Sequence, residues 1–405
     1  MRFRLLSALA LLAACSNPTT EQQATTTVPA VKPAAKAAAK PALASSAKKP
    51  APKADTVAAP NTAASAAVQN VAAYLAGRPP QAGSPLAALA AQPTWQAFAK
   101  DQDKSWARYG STHTSRMEKW AARELDSVRT ASATLFYPFS GPDFLNAYTL
   151  FPSSRTYVLF GLEPVGSVPS QQALRNPALF RAVKTSLWSV LNFSFFRTND
   201  MAVDLKSVNL DGAVPLLMLF AARTNCQVLA VRQVQLDAEG KLQAASASAD
   251  IKAIPGAELQ LRAADGSTKT VYYFSADLSD YKLNTKEAPL RYARTLGPVT
   301  TYLKSATYLM HKSYFSKIRN LVLDQSQYIL QDDSGIAMKY FPRHKWDFTY
   351  YGTYRRPIPL FAKQYQPALT VAYRDSLHRP RPLPFGTGYN WQQANSNLLL
   401  ARRKR

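Results

Sequence analysis

The sequence predicts an α/β protein of mixed α+β character. An N-terminal helical layer packs on a mixed sheet, and a C-terminal basic segment rich in loops and strands follows. Three observations carry this. Apolar residues recur at spacings of three and four across residues 61–130, the period of a helix face. At Ala131 the pattern changes to short apolar runs in the order strand, helix, strand, the arrangement that parallel pairing requires. Residues 341–405 hold 12 basic residues against Asp347 and Asp375, interleaved with 12 aromatics.

The elements follow in order. Val68, Val71 and Leu75 share a helix face that stops at Gly77 and Pro79-Pro80, and Ser84-Pro85 starts a short turn. Trp95, Phe98, Trp106 and Tyr109 recur at helical spacing. After a break at Gly110-Ser111-Thr112, Met117, Trp120, Ala121 and Val128 resume it. That spacing makes the tryptophans a core face rather than a sugar-stacking platform. Residues 133–137 read as a strand. Ser140 is the expected N-cap of a helix over 144–151, with Pro142 in its first turn, and residues 156–162 form a second strand. A helix starts at Asn176-Pro177 and runs to Phe195. A second, over 213–223, is too short to span a bilayer. Strands at 226–236, 257–264 and 269–275 follow, the last two joined by the hairpin signal Asp265-Gly266. Residues 298–331 read as helix, and residues 341–405 as short strands and loops ending in the tail Arg402-Arg403-Lys404-Arg405.

Composition sets the class. Hydrophobic residues make up 47% of 405 and 44 residues are aromatic, enough for one large core. Only Cys15 and Cys226 are present, so a disulfide framework is excluded. Cys226, within an apolar run, reads as a small buried hydrophobe. The net charge is +24 and favours anionic partners. Residues 16–60 are rich in Ala, Pro, Lys and Thr and hold no aromatic residue. Such a segment cannot bury enough surface to order itself. As a flexible tether, residues 15–60 span roughly 35–40 Å.

The amino terminus supplies an address. Arg2 and Arg4 precede an apolar stretch, Leu5 to Ala14, that ends in Leu12-Ala13-Ala14-Cys15. This run resembles the lipobox of bacterial lipoproteins. The resemblance covers the first 15 residues only. It implies removal of the signal peptide 1–14, diacylglycerol on the Cys15 thiol, and a palmitate-type acyl chain on the new amino terminus. Residue 16 is Ser rather than the Asp that retains lipoproteins in the inner membrane, so the resemblance also implies the outer membrane. The expected organisation is signal peptide 1–14, lipidated tether 15–60 and a single body 61–405, itself helical over 61–130, α/β over 131–340 and basic over 341–405.

Candidate chemistry is sparse. Ser140 lies between a strand and a helix, as a nucleophile would, but its flanks are Phe139 and Gly141 and the Gly-x-Ser-x-Gly pattern is missing. Asp143 follows it. Glu163 closes the second strand, where open α/β sheets bind ligands, and would share a crevice with Ser140. Asp332 and Asp333 are adjacent acids in a basic body, able to split their pKa values or to build an Asx turn. A Ser140–His311–Asp332 triad requires the fold to bring the three together. The four histidines, His113, His311, His344 and His378, lack metal-ligand spacing, and no metal or cofactor is expected. Arg355, Arg356, Arg379 and Arg381, with Tyr354 and Trp391, are candidates for an anionic ligand, because guanidinium forks clamp phosphate or carboxylate and aromatic faces stack on rings.

The leading expectation is a tethered, non-enzymatic envelope protein. It would engage the membrane through its lipid, and an anionic polysaccharide, peptidoglycan, lipopolysaccharide or a membrane surface through its body. Nucleic acid is not an expected partner, because it would need export to meet the protein. The alternative is an envelope hydrolase acting through Ser140, Glu163 or Asp332/Asp333. Cys15→Ala is expected to abolish incorporation of labelled palmitate and to leave an uncleaved or soluble product. Unchanged labelling and membrane partition of that variant would refute the lipobox assignment.

Overall fold

A computed structural model describes residues 62–193, 205–245, 252–375 and 379–404. Cys15, the signal peptide, the tether and His378 lie outside the described residues. The strands are β1 (Thr134–Tyr137), β2 (Thr156–Gly161), β3 (Gln227–Leu236), β4 (Leu242–Ala244), β5 (Ile254–Arg262), β6 (Thr268–Ser275), β7 (Val299–Leu303), β8 (Ser326–Gln331), β9 (Trp346–Gly352) and β10 (Asn397–Arg403). They form one mixed sheet in the order β4-β3-β5-β6-β2-β1-β7-β8-β10-β9.

The middle of the sheet is parallel: β6, β2, β1, β7 and β8 run the same way. Both flanks are antiparallel, with β3, β4 and β5 on one side and β10 and β9 on the other. The parallel strands are covered on both faces, as their apolar runs demand, and every residue of β7 is buried. Side chains alternate between two cores. Leu135, Tyr137, Tyr157 and Leu159 enter one, which the helices Thr62–Leu75, Pro93–Tyr109, Ser115–Glu124, Phe144–Leu150, Leu179–Phe193 and Val214–Arg223 close. Phe136, Val158 and Phe160 enter the other, under Asp280–Thr285, Ala288–Thr295 and Ser316–Gln325. The tryptophans of the N-terminal layer are core residues: Trp95 and Trp120 are buried. Cys226 is buried and unpaired, one residue before β3.

Several expectations are corrected. Residues 298–331 are not one helix. Val299-Thr300-Thr301-Tyr302-Leu303 is a β-branched and aromatic run suited to a strand, and Ser326–Gln331 is a second strand after the helix Ser316–Gln325. Short buried apolar runs fit either period, and here strand chemistry decides. Asp332 and Asp333 therefore follow a strand, not a helix. The expected break at Gly110 is a π turn over Gly110–Thr114 that joins the flanking helices. The N-cap of Phe144–Leu150 is Asp143, whose carboxylate accepts from the Asn146 N–H at 3.1 Å, not Ser140. The C-terminal segment holds an unexpected helix, Pro367–Arg374. Arg402 and Arg403 belong to β10 rather than to a solvated tail. Arg403 donates to the Ser326 carbonyl at 2.8 Å and to the Leu323 carbonyl, and its guanidinium stacks on Trp346.

Candidate functional site at the carboxyl ends of the parallel strands

The strand order reverses about β1. The chain leaves β1 for β2 on one side and later returns to β7 on the other. Ligands of open α/β sheets bind beyond the carboxyl ends of the strands at such a switch point. Backbone strain marks the same place. Six described residues other than glycine have positive φ. Asn209 and Asn225 tolerate that conformation, and the other four are Phe139, Ser305, Thr307 and Tyr308, directly after β1 and β7. Each costs on the order of 1 kcal/mol or more and persists only where its surroundings hold it.

Two sets of acids hold these turns. Asp143 and Lys304 form an ion pair at 2.8 Å with both side chains 1% exposed, bridging the loops after β1 and β7. The Tyr137 hydroxyl donates to the same Asp143 oxygen at 3.0 Å, while Asn146 donates to the other through its side chain at 2.8 Å and its backbone N–H. Asp332 accepts from the Ser305 N–H at 2.9 Å, and from the Ser334 N–H and hydroxyl. Ser334 in turn accepts from the Ala306 N–H at 2.8 Å. Asp333 accepts from the Tyr308 hydroxyl and, at 3.0 Å, from Asn397. Burial, and for Asp332 the neighbouring Asp333, push both carboxyls above their usual range. The adjacent acids are thus a clamp on the strained 305–308 turn, the Asx-turn reading in a buried form.

β1 and β2 are parallel and in register, which brings the turn after Ser140 against Glu163, although Ser140 itself does not line the cavity that Glu163 borders. A Cβ at Gly141, next to Ser140, would lie 3.1 Å from the Glu163 carboxylate. Among the described residues Glu163 is held by the Tyr273 hydroxyl at 3.0 Å and by no arginine, and it borders a cavity of about 210 Å³. The Ser140 hydroxyl donates to the carbonyls of Gly141 and Phe160 at 2.9 and 3.2 Å. The His311 ring lies edge-on to Tyr308, and its Nε2 is buried without a partner. Asp332 bonds to Ser305 and Ser334. None of the three bonds another, so the triad Ser140–His311–Asp332 is not assembled.

The loop 384–396 covers this end of the sheet. The Tyr389 hydroxyl donates to the Ser305 carbonyl at 2.9 Å, and a Cβ at Gly388 would lie 2.1 Å from the Asp332 carboxylate. Two pockets flank the loop. One, of about 370 Å³, is lined by Arg355, Arg356, Tyr389, Trp391, Gln392 and Asn395 among others. The other, of about 360 Å³, includes His113, Arg116, Asn192, Trp391, Gln392 and Gln393. Arg355 and Arg356 are exposed and make no ion pair among the described residues. Arg116 donates to the Pro384 carbonyl and the Gln393 side-chain carbonyl, at 3.5 and 3.4 Å. A larger cavity, about 760 Å³, lies between β9 and the helix Pro367–Arg374. Its Arg343 and Arg374 are offset by Asp347 and Asp375, so it offers no net charge to an anion.

The remaining basic candidates divide. Arg379 is exposed and does not line either pocket. Arg381 pairs with Glu124 at 3.0 Å. Tyr354 is a correction: it is 4% exposed and its hydroxyl accepts from the Gln366 N–H, so its face cannot stack on a ligand. Arg116 and Lys304 escaped the sequence reading. Lys304 would have drawn notice as a lone cation ending a buried strand, had 299–303 been read as one. Arg116 carried no signal, because it reaches the pocket through an exposed helix turn.

Among the described residues no three His, Cys, Asp or Glu side chains group to hold a metal ion. No described helix is long and apolar enough to cross a membrane. No family model, curated protein or solved structure matches the chain.

The ion pair gives a stability test. Lys304→Met leaves a buried carboxylate uncompensated and is expected to cost about 3–5 kcal/mol in denaturant unfolding, whereas adding Asp143→Asn to it recovers part of the loss. Additive losses would show that the pair is not coupled. Burial is the main cause that lowers both His113 and His311, the former also through Lys304 and Arg116, to about 4. Both imidazoles should remain neutral at pH 5.5 by nuclear magnetic resonance. The unfolded chain takes up these protons near the ordinary value of 6.5, so the contribution of the two groups is complete above pH 6.5 and is lost as pH falls toward 4. A His113→Gln/His311→Gln variant should lose less stability than the parent over that window, since the buried aspartates, shifted the other way, are common to both.

Proposed function

We propose that the protein is a lipid-anchored component of the bacterial outer membrane, tethered through Cys15, whose body binds an anionic envelope polymer or surface without turning it over. The observation that carries this reading is the meeting of Arg355, Arg356 and Trp391 in one pocket at the carboxyl ends of the sheet, with Arg116 in the pocket beside it and, among the described residues, no carboxylate paired to any of the three guanidinium groups. A guanidinium fork without a protein carboxylate is open to a phosphate or carboxylate ligand. The net charge of +18 over residues 61–405, 41 basic against 23 acidic, draws such ligands over a distance set by ionic strength. The strained turns and their buried acids support the site as a rigid floor. The nucleophile reading has no comparable support, since the Ser140 hydroxyl faces carbonyls rather than a base.

Binding to lipopolysaccharide, isolated peptidoglycan and vesicles containing phosphatidylglycerol tests this. Affinity for at least one should fall as salt rises from 50 to 300 mM. Replacing Arg355 and Arg356 together with Gln should weaken it about tenfold or more, consistent with the loss of a charge-assisted contact. Arg343→Gln, in the charge-balanced cavity beside β9, should leave it unchanged. Arg381→Gln should cost stability rather than affinity, because Arg381 is already paired with Glu124. Salt-independent binding, or an Arg355/Arg356 variant that binds as the parent does, would overturn the proposal.

A further inference from the structure

Resting on that anion-binding reading, we infer that the ligand is an acidic saccharide chain that runs across Trp391 and occupies two adjoining subsites, rather than a single headgroup. The two pockets, about 370 and 360 Å³, share Trp391 and Gln392 as a common wall. Each has its own cation, Arg355 with Arg356 in one and Arg116 in the other. A ligand that satisfies both must therefore carry negative charge on either side of the Trp391 ring. That describes a chain with one acidic group per unit.

The rest of the lining favours sugars over acyl-chain headgroups. Gln392, Gln393 and Asn395 bring neutral amides to the wall beside Trp391, a residue 39% exposed; Gln393 and Gln392 use their carbonyl oxygens on Arg116 and Asn395, which leaves the Gln392 and Gln393 amide N–H groups to donate to hydroxyls. An aromatic face stacks on a pyranose or a base without demanding one sequence. Trp391 is also held in place. Gly386 packs so closely on its carbonyl that a Cβ there would lie 1.5 Å away, and the Ser396 hydroxyl ties Thr387 and Asn390 across the loop. A wall fixed by its own backbone keeps two subsites in constant register and spares an incoming chain the cost of ordering the loop.

Calorimetric titration of the body, residues 61–405 in the parent chain without its lipid, against galacturonate and its di-, tri- and tetramers tests the inference. Affinity should rise at least tenfold from monomer to dimer or trimer and then level off. Trp391→Ala should lower affinity for the oligomers about tenfold, well beyond any loss it causes for inorganic phosphate. Arg116→Gln should remove the gain on lengthening and bring the tetramer to the affinity of the monomer for the same variant. Equal affinity for monomer and tetramer would overturn the two-subsite inference, as would tetramer binding that ignores Trp391→Ala. Binding to phosphatidylglycerol vesicles with none to the oligomers would also overturn it, while leaving the anion-binding reading intact. An Arg355→Gln/Arg356→Gln variant that binds every one of these probes as the parent does would instead remove the reading on which it rests.

Discussion

The arrangement of the carboxyl end depends on one buried contact, the ion pair between Asp143 and Lys304 across the switch point of the sheet. Removing two charges from water is costly, and the pair offsets that cost only because its remaining hydrogen-bonding capacity is used. Asp143 is satisfied on both oxygens, by Lys304 and Tyr137 on one and by Asn146 on the other. The same residue therefore caps a helix, receives a strand tyrosine and fixes the neighbouring strand's lysine. Because Lys304 opens the turn that contains Ser305, Thr307 and Tyr308, the ion pair also sets where the strained backbone begins.

Downstream of that pair the buried acids work as fasteners. Asp332, Asp333 and Ser334 meet the β7 turn from one side, and the loop 384–396 meets it from above through Tyr389. The result is a floor without mobile carboxylates, which leaves the rim to exposed guanidinium groups. Scarcity of acid matters here. An acid placed among Arg355, Arg356 and Arg116 would pair with them at once, and the pockets would lose their field.

Much of the fold was legible in the sequence, and the errors have definite causes. The β1–helix–β2 unit could be read because Pro152 and its serines interrupt the apolar pattern at the right place, and the β5–β6 hairpin because Asp265-Gly266 announces it. Residues 298–331 misled because apolar residues there satisfy a helical spacing by coincidence, while Val299 to Leu303 is buried on both faces and so carries no alternation. The site was legible only in part. Arg355, Arg356 and Trp391 stood out by chemistry, and the approach of the turn at Gly141 to Glu163 followed from the parallel unit. Tyr354 could not be told from them, since burial is decided by the helix Pro367–Arg374, which the sequence did not announce. Ser140 looked like a cap because Asp143, three residues later, looked like its partner; the structure makes Asp143 the cap and turns the Ser140 hydroxyl to the Gly141 and Phe160 carbonyls.

The position of β10 bears on the order in which the molecule is made. Residues 397–403 insert between β8 and β9, so β9, synthesised earlier and paired in the sheet through β10, cannot settle until that later strand arrives, whereas β8 can already pair with β7. Pairings of this kind are non-local and slow, and they leave strand edges open to other chains in the meantime. The loop 384–396, which completes both pockets, belongs to the same late stretch. Folding and acquisition of the site are therefore one event, delayed until that stretch has emerged.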